Sequence, residues 1–302
     1  MTLQQIRYAI VIANTKSMNE AAKQLYITQP SLSASLKDLE SELGITIFAR
    51  SSKGVVVTTE GEEFLGYARQ VIEQVALLED KYTGNADIKK KFSISTQHYS
   101  FAVKAFVEMV KQFGMNEYEF AIKESKTYDI IQDVKYFKSE LGILYLNDFN
   151  EKILQKLFKE SDVEFHELFK CNAYVYMWKG NPLSSKSNLT LKDLEEYPCL
   201  SFEQGDNNSF YFSEEILSTY SYKKYIKASD RATMLNLMVG LNGYTLRSGI
   251  ICEELNGSDY IAVPLDTDVM MRIGYITRKN TVVSSIGSKY IEELIQYADN
   301  VL

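Results

Sequence analysis

Three short helical patterns followed by two strand patterns within the first 58 residues constrain the fold more than any other feature of the chain. The first pattern places Leu3, Ile6 and Ile10 on one helical face. A Thr2-x-x-Gln5 pair lies just before this face and is typical of a capping box. Together these signals predict a helix that begins directly after Thr2.

The second and third helical patterns are joined by a short turn. Ser17-x-x-Glu20 predicts the start of the second helix. Gln29-Pro30 predicts the start of the third helix, where proline costs little because first-turn N–H groups have no helical partner. Gly44 is expected to end this helix.

Strand patterns at residues 45–48 and 54–58 flank a basic tip and predict a small hairpin. Three helices followed by a hairpin are typical of a winged helix-turn-helix, in which the third helix enters the major groove of DNA. The predicted DNA-binding residues are Gln29, Pro30, Ser31, Ser33, Ala34, Lys37, Arg50 and Lys53. A three-helix module that binds protein is the alternative.

The side chains of the third helix predict how DNA would be read. Gln29 can pair with adenine, and Pro30 and Ala34 can touch thymine methyl groups. Arg50 and Lys53 suit phosphate or the minor groove. Because most side chains on this helix are short, we expect modest direct readout and A/T-rich targets recognised largely by shape.

Charge is compatible with DNA only at this end of the chain. The net charge is −7, which by itself argues against nucleic-acid binding. Residues 1–58, however, carry six Lys or Arg and four Asp or Glu. This segment is therefore the part of the chain whose charge tolerates a phosphate backbone.

One long amphipathic helix is predicted after the hairpin, with a hinge following it, so that residues 59–88 form a linker. Its apolar residues repeat with a heptad spacing: Phe64, Ala68, Val71, Val75, Leu78 and Tyr82. Such a seam requires a partner helix. We favour an identical helix of a second subunit, which predicts a homodimer through residues 59–83; an intramolecular partner is the alternative.

The N-terminal motifs resemble the signature of LysR-type transcriptional regulators over about the first 65 residues. The matching residues are Ala21-Ala22, Leu25, Gln29-Pro30-Ser31-Leu32-Ser33, Leu39-Glu40, Leu43-Gly44, Phe48, Arg50, Val57-Thr58 and Gly61. The resemblance implies a dimerisation helix, promoter DNA as partner, and homodimers assembled into a homotetramer. It also implies a C-terminal effector domain of the periplasmic-binding-protein type, with two α/β lobes and a cleft for a small-molecule effector.

Strand and helix patterns alternate from residue 91, which indicates an α/β domain with a parallel sheet. We assign residues 1–58 to the DNA-binding domain and residues 89–302 to the effector domain. Within the latter, residues 91–164 and 268–302 are expected to form lobe I, and residues 165–267 lobe II. The return of the last segment to lobe I is implied by the resemblance. A helix is predicted over residues 210–219.

Polar turns at strand ends are the candidate effector site, because open α/β sheets bind ligands there. The candidates are Ser95, Thr96, Gln97, His98, Phe202, Glu203, Gln204 and Asp230. Residues 95–98 precede a helix N-terminus, which suits an anion, and mixed charges nearby indicate an anionic or zwitterionic metabolite. Simple helix capping and solvated loops are the alternatives.

Composition and motifs exclude several other classes of protein. Three cysteines without a CxxC spacing and two histidines argue against a disulfide framework and a metal site. No apolar run is long enough to span a bilayer, and no catalytic signature is present. We therefore predict a cytoplasmic protein that is not an enzyme and has no cofactor. The rival hypothesis is a solute-binding or enzymatic α/β protein whose helix-turn-helix binds protein.

Overall fold

A computed structural model describes residues 1–51, 54–83, 90–113 and 117–301, which form two compact units. One unit comprises Met1–Ile88 with Tyr136–Lys138, and the other comprises Lys89–Lys135 with Ser139–Leu302. The hinge predicted near residues 84–88 lies outside the described residues.

The first unit begins with helices α1 (Leu3–Thr15), α2 (Met18–Gln24) and α3 (Gln29–Leu43). Thr2, Ser17 and Thr28 precede them, and each side chain accepts a hydrogen bond from the third N–H of its helix. Gln5 Oε1 accepts the Thr2 N–H at 2.9 Å, which completes the predicted capping box. The third helix ends at Gly44, whose φ of 69° is a conformation that glycine adopts without a steric penalty.

A two-stranded hairpin and a long helix complete this unit. Strands β1 (Phe48–Ser51) and β2 (Gly54–Val57) pair antiparallel, and helix α4 (Thr59–Thr83) follows. The prediction of a strand over residues 45–47 is wrong. The Ile47 N–H instead donates to the Glu40 carboxylate at 2.7 Å, so α3 holds the segment that precedes β1.

The second unit contains a five-stranded sheet in the order β4-β3-β5-β12-β6. Its strands are β3 (Lys90–Thr96), β4 (Tyr118–Glu124), β5 (Leu141–Leu146), β6 (Val163–Asn172) and β12 (Met270–Arg278). Its helices are α5 (Ser100–Lys111), α6 (Thr127–Lys135), α7 (Glu151–Glu160) and α10 (Ser285–Val301). The strand β3 is parallel to both of its neighbours, as predicted, whereas β12 is antiparallel to β5 and β6, so the sheet is mixed.

The boundary between the two lobes differs from the sequence-based assignment. We placed residues 165–172 in lobe II, but β6 pairs along its length with β12 in the first sheet. Lobe II therefore begins after Asn172. The cause is a long-range pairing: the partner of β6 lies about a hundred residues later, and local patterns carry no information on strand partners.

Lobe II contains a second sheet in the order β11-β7-β10-β8-β9. Its strands are β7 (Tyr174–Trp178), β8 (Cys199–Phe202), β9 (Tyr225–Ala228), β10 (Tyr244–Arg247) and β11 (Tyr260–Pro264). Helix α8 (Arg231–Leu241) packs on it, and α9 (Glu253–Asn256) is a single turn. The strands β9 and β11 have no counterpart among the sequence predictions.

The helix predicted over residues 210–219 is wrong. Only a 3-10 turn, Phe210–Phe212, forms there, and Ser213 is extended at ψ 141°. Glu214 and Glu215 are both buried and accept hydrogen bonds from backbone N–H groups of other segments. These tertiary hydrogen bonds override the local helix preference of the segment.

Candidate functional site

Helix α3 buries one face and exposes the opposite one. Leu32, Leu36 and Leu39 are buried in the core of the first unit. The predicted DNA-binding residues lie on the other side, where Pro30, Ser31, Ala34 and Lys37 are exposed and Gln29 and Ser33 are half-buried. The Ser31 hydroxyl lies 2.8 Å from the hydroxyl of Thr28, the N-cap residue.

The predicted basic residues of the hairpin are described only in part. The backbone of Arg50 lies in β1, opposite Val55, but its side chain is outside the described residues, as is Lys53.

Helix α4 divides its heptad seam between two environments. Its first half packs within the unit, where Leu65 and Ala68 are buried and Phe64 contacts the core. Val71 and Leu78 are 39% and 62% exposed, respectively. The intramolecular partner that we considered as an alternative thus accounts for the first half of the seam and leaves Val71 and Leu78 exposed.

A small cavity that is open to solvent lies between the two lobes of the second unit. Its lining residues are His98, Tyr99, Ser100, Phe101, Tyr176, Phe202, Arg231, Met234, Leu235, Met238, Arg247, Ser248, Gly249 and Ile250. The carboxyl ends of β3, β8 and β10 lead to it, as expected for an open α/β sheet. Its walls are mainly apolar and aromatic, with two guanidinium groups among them.

A stack of three planar side chains joins the lobes at this cavity. The rings of His98 and Phe202 lie parallel with centroids 3.6 Å apart. The guanidinium carbon of Arg247 lies 5.0 Å from the Phe202 centroid, and Arg247 also donates to the His98 carbonyl. Two of the predicted residues, His98 and Phe202, therefore lie at the centre of the interface between the lobes.

Two buried carboxylates lie behind this stack. Glu214 Oε2 accepts the His98 N–H at 2.9 Å and lies 2.8 Å from His98 Nδ1. Glu215 Oε1 accepts the Phe202 N–H at 3.1 Å, and the Ser213 hydroxyl donates to Oε2 at 3.2 Å. Burial, and next the negative charge of Glu214, raise the pKa of Glu215 to about 8.

This shift predicts that Glu215 makes the protein less stable as the pH rises. Unfolded, the carboxyl has its ordinary pKa of 4.5; folded, it keeps its proton up to about pH 8. Its contribution is thus fully present below about pH 4.5 and is lost as the pH rises toward 8. We expect Glu215→Gln to flatten the fall in melting temperature over this range, as measured by calorimetry. The control is Glu292→Gln, which changes an exposed residue of α10. If the melting temperature of Glu215→Gln fell with pH as steeply as that of the wild type and of this control, the prediction would be refuted.

The other predicted effector residues are placed away from the cavity wall. The Ser95 hydroxyl donates to Asp133 at 2.8 Å, and the Thr96 hydroxyl donates to the Gln97 carbonyl at 2.8 Å. The Gln97 amide donates to Thr127 at 2.6 Å. All of these side chains are therefore engaged within the chain.

The candidates on lobe II also have internal partners. Gln204 Oε1 accepts the Thr127 N–H at 3.0 Å and so joins the lobes, and Glu203 pairs with Lys126 at 3.1 Å on the rim. Asp230 caps α8 by accepting the Thr233 N–H at 2.9 Å. The simple capping that we considered for α5 is not observed, because no described side chain caps that helix.

The residues missed by sequence reasoning are Arg247, Glu214 and the apolar wall of α8, whereas Arg231 lies in a polar turn that the sequence did indicate. Arg247 could have been found, since it directly follows the strand pattern of residues 243–246, at the carboxyl end of that pattern. Glu214 gave no usable signal, because we placed it on a helix that does not form.

The described residues offer little support for metal or thiol chemistry. They contain no group of three or more His, Cys, Asp or Glu side chains able to hold a metal ion. Cys171, Cys199 and Cys252 are buried thiols that form no disulfide, and burial raises the pKa of Cys171 to about 12. None of the described helices is both long and apolar enough to cross a membrane.

Comparison with known families and proteins identifies both units. Residues 3–62 match the bacterial regulatory helix-turn-helix protein, lysR family, and residues 99–299 match the LysR substrate binding domain. The chain belongs to the LysR family. This LysR-family chain is a DNA-binding transcription regulator with a substrate-binding domain, and the predicted winged helix-turn-helix and two-lobed α/β fold are confirmed.

Individual relatives agree with the family. The LysR-family chain is 23% identical to the uncharacterized HTH-type transcriptional regulator YbhD of Escherichia coli (strain K12), over 97% of this chain and 90% of that protein. Full-length OxyR from Pseudomonas aeruginosa is 20% identical, with a TM-score of 0.67 over 98% of this chain and 94% of that chain. CbnR, a LysR family transcriptional regulator, is 17% identical, with a TM-score of 0.58 over 99% of both chains.

Proposed function

We propose that the exposed face of α3 reads the major groove of promoter DNA, with Gln29, Pro30 and Ala34 on base edges and Lys37 on phosphate. The observation that carries this proposal is the division of α3 into a buried leucine stripe and an exposed polar face at its N-terminus. Ser31, Ser33, Arg50 and Lys53 are proposed as further contacts. CbnR, which has the same fold, has been solved in complex with its target DNA.

Two substitutions on α3 separate base reading from phosphate contact. We expect Gln29→Ala to lower affinity for the operator more than affinity for random DNA, by about tenfold, because the bidentate adenine pair is lost. Lys37→Ala should lower both affinities alike and reduce the salt dependence of binding. Gel-shift titrations with the DNA upstream of the protein's own gene and with random duplex measure both ratios.

The outcome also decides between the two hypotheses of the sequence analysis. If Gln29→Ala lowered the affinity for operator and for random DNA equally, the assignment of Gln29 to a base contact would be contradicted. If the wild-type protein bound no duplex in a salt-dependent manner, the helix-turn-helix would be a protein-binding module of a solute-binding or enzymatic α/β protein.

We infer that two chains pair through residues 59–83, because Val71 and Leu78 of the α4 seam are exposed in the single chain. A homotetramer would combine two such dimers on dyad-symmetric promoter DNA. The proposed location is the cytoplasm, where this DNA lies.

The cavity between the lobes is the proposed effector site, with His98 and Phe202 as contacts. It lies between both lobes and is lined by convergent polar groups on apolar walls, which is typical of ligand sites. A small molecule bound there would bias the arrangement of the lobes, and so the positions of paired DNA-binding units. The chain would act by binding rather than as an enzyme.

A further inference from the structure

The arrangement around Glu214 and Arg247 determines which chemical class of effector fits the cavity. We propose that Glu214 fills the anion position at residues 97–99, and that the effector is an apolar monocarboxylate without an amino group, bound through Arg247. This inference rests on the proposed function of the cavity and adds the chemistry of its ligand.

The backbone N–H groups of the loop after β3 are already engaged within the chain. The Gln97 N–H donates to the Ile143 carbonyl at 2.9 Å, and the Tyr99 N–H donates to the Gln97 carbonyl at 2.6 Å. The His98 N–H donates to Glu214, whose second oxygen accepts from Gln204 Nε2 at 3.2 Å. A ligand carboxylate at this loop would therefore have to displace a buried carboxylate that both lobes hold in place.

Arg247 is the cation with free donors in the cavity wall. Arg231 is paired with Glu124 and also donates to the Ser100 hydroxyl at 3.0 Å. Arg247 uses one N–H on the His98 carbonyl and forms no ion pair with any side chain that the structure describes. Because a guanidinium has five N–H donors, Arg247 can still bind a carboxylate through two parallel hydrogen bonds.

The remaining lining residues of the cavity favour a ligand whose uncharged part is apolar. Tyr176, Met234, Met238 and Ile250 offer an apolar and partly aromatic surface. The described lining residues include no Asp or Glu, and the adjacent Glu124 is already paired with Arg231, so the ammonium group of an amino acid would lack a carboxylate partner of its own on this wall. This absence distinguishes a simple carboxylate from the zwitterion that the sequence also allowed.

The face of the lobe II sheet that carries Tyr176 and Arg247 also holds a hydroxyl group without a hydrogen-bond partner among the described residues. Thr245 is fully buried, and its Oγ1 has no hydrogen-bond partner among the described residues. It pairs in register with Tyr176 and lies two residues before Arg247, so the three side chains share one face. A polar group of a bound ligand that reached this face would supply the partner that the hydroxyl lacks.

Calorimetric titration of the full chain tests the ligand class with matched probes. 3-Phenylpropanoate and 4-methylpentanoate supply the acid, their amides lack the charge, and phenylalanine and leucine add the amino group. We expect each acid to bind at least about tenfold more tightly than its amide and its amino acid. Arg247→Gln should weaken acid binding by about tenfold or more, whereas Lys152→Gln, which removes an exposed charge on α7, should not.

Equal binding of acid and amide, tighter binding of the amino acids, or no binding of either acid at millimolar concentration would each overturn the proposal. Arg247→Lys, which keeps the charge but not the two parallel hydrogen bonds, replaces Arg247→Gln if the latter does not fold. Operator binding is measured on the same preparations. If neither acid binds but the protein still binds operator DNA, only this inference is refuted. If the wild-type protein shows no salt-dependent DNA binding, the proposed function is refuted.

The occupied anion position is tested separately with acetate. Glu214→Ala removes the internal carboxylate, so we expect acetate, but not acetamide, to raise the melting temperature of this variant. The wild type should show no comparable rise, because Glu214 already occupies the position. Equal responses of wild type and variant, or no response of the variant, would show that the loop does not hold an anion.

Discussion

Gly61→Ala is expected to destabilise the DNA-binding unit by about 3 kcal/mol or more and to abolish operator binding at physiological temperature. A Cβ at position 61 would lie 2.9 Å from the carbonyl carbon of Ile47 and collide with its oxygen. The Ile47 backbone cannot move aside, because its N–H bonds to Glu40 and its carbonyl accepts the Thr58 N–H at 3.0 Å. Since the Gly61 N–H in turn donates to Thr58 Oγ1 at 2.9 Å, the clash disrupts the start of α4.

Two spectroscopic probes can assign this loss to one unit. The chain has a single tryptophan, Trp178 in β7, so its fluorescence reports only the effector domain. Circular dichroism at helix wavelengths reports both units. We expect the helix signal of Gly61→Ala to be lost at a lower temperature than that of the wild type, whereas the temperature of the Trp178 fluorescence transition is unchanged.

Gly240→Ala is the control. Nothing lies within 4 Å of a Cβ built at this position in α8, so the substitution should stabilise the effector domain by about 0.5–1 kcal/mol. If the helix signals of the wild type and of Gly61→Ala were lost at the same temperature, the predicted destabilisation would be refuted.

Ala34→Glu is expected to weaken operator binding by about a hundredfold at near-physiological salt. Ala34 is exposed on α3, so a glutamate there leaves the core intact and suits a helix. Its carboxylate would face the phosphate backbone and the acceptor atoms of the bases, and both repel it. Fluorescence anisotropy with labelled operator DNA measures the loss, and the melting temperature should remain close to that of the wild type.

A matched substitution outside the proposed interface separates local from general charge effects. Gln4→Glu introduces the same charge at an exposed position of α1, and we expect it to weaken binding by less than about threefold, as a distant screened charge does. Similar losses for both variants would indicate that α3 does not enter the groove.

Local signals in the sequence predicted the first unit closely. Thr2, Ser17, Thr28 and Gly44 stand at the ends of the three helices, as the capping rules require. These signals act over three or four residues, so no tertiary information is needed to use them. The strand over residues 45–47 failed because a carboxylate from α3, distant in sequence, binds the Ile47 N–H.

The candidate site was predicted only where it coincides with strand ends. His98 and Phe202 follow directly from the rule that ligands bind at the carboxyl ends of strands, and both line the cavity. Ser95, Thr96 and Gln97 were chosen for the same reason, yet their side chains bond within the chain. Proximity to a strand end fixes the position of the backbone but not the partner of each polar group.

Local sequence patterns were sufficient to predict the first three helices, the order of the two domains and the family, because caps, periodicity and motif spacing are local properties. Long-range contacts alone place β6 in the first sheet, bring Glu214 to the loop after β3, and leave Arg247 with free donors in the cavity. Each of these depends on which distant segments meet. The free energy of pairing two strands or burying a carboxylate is a property of both partners, and no single segment of the sequence contains it.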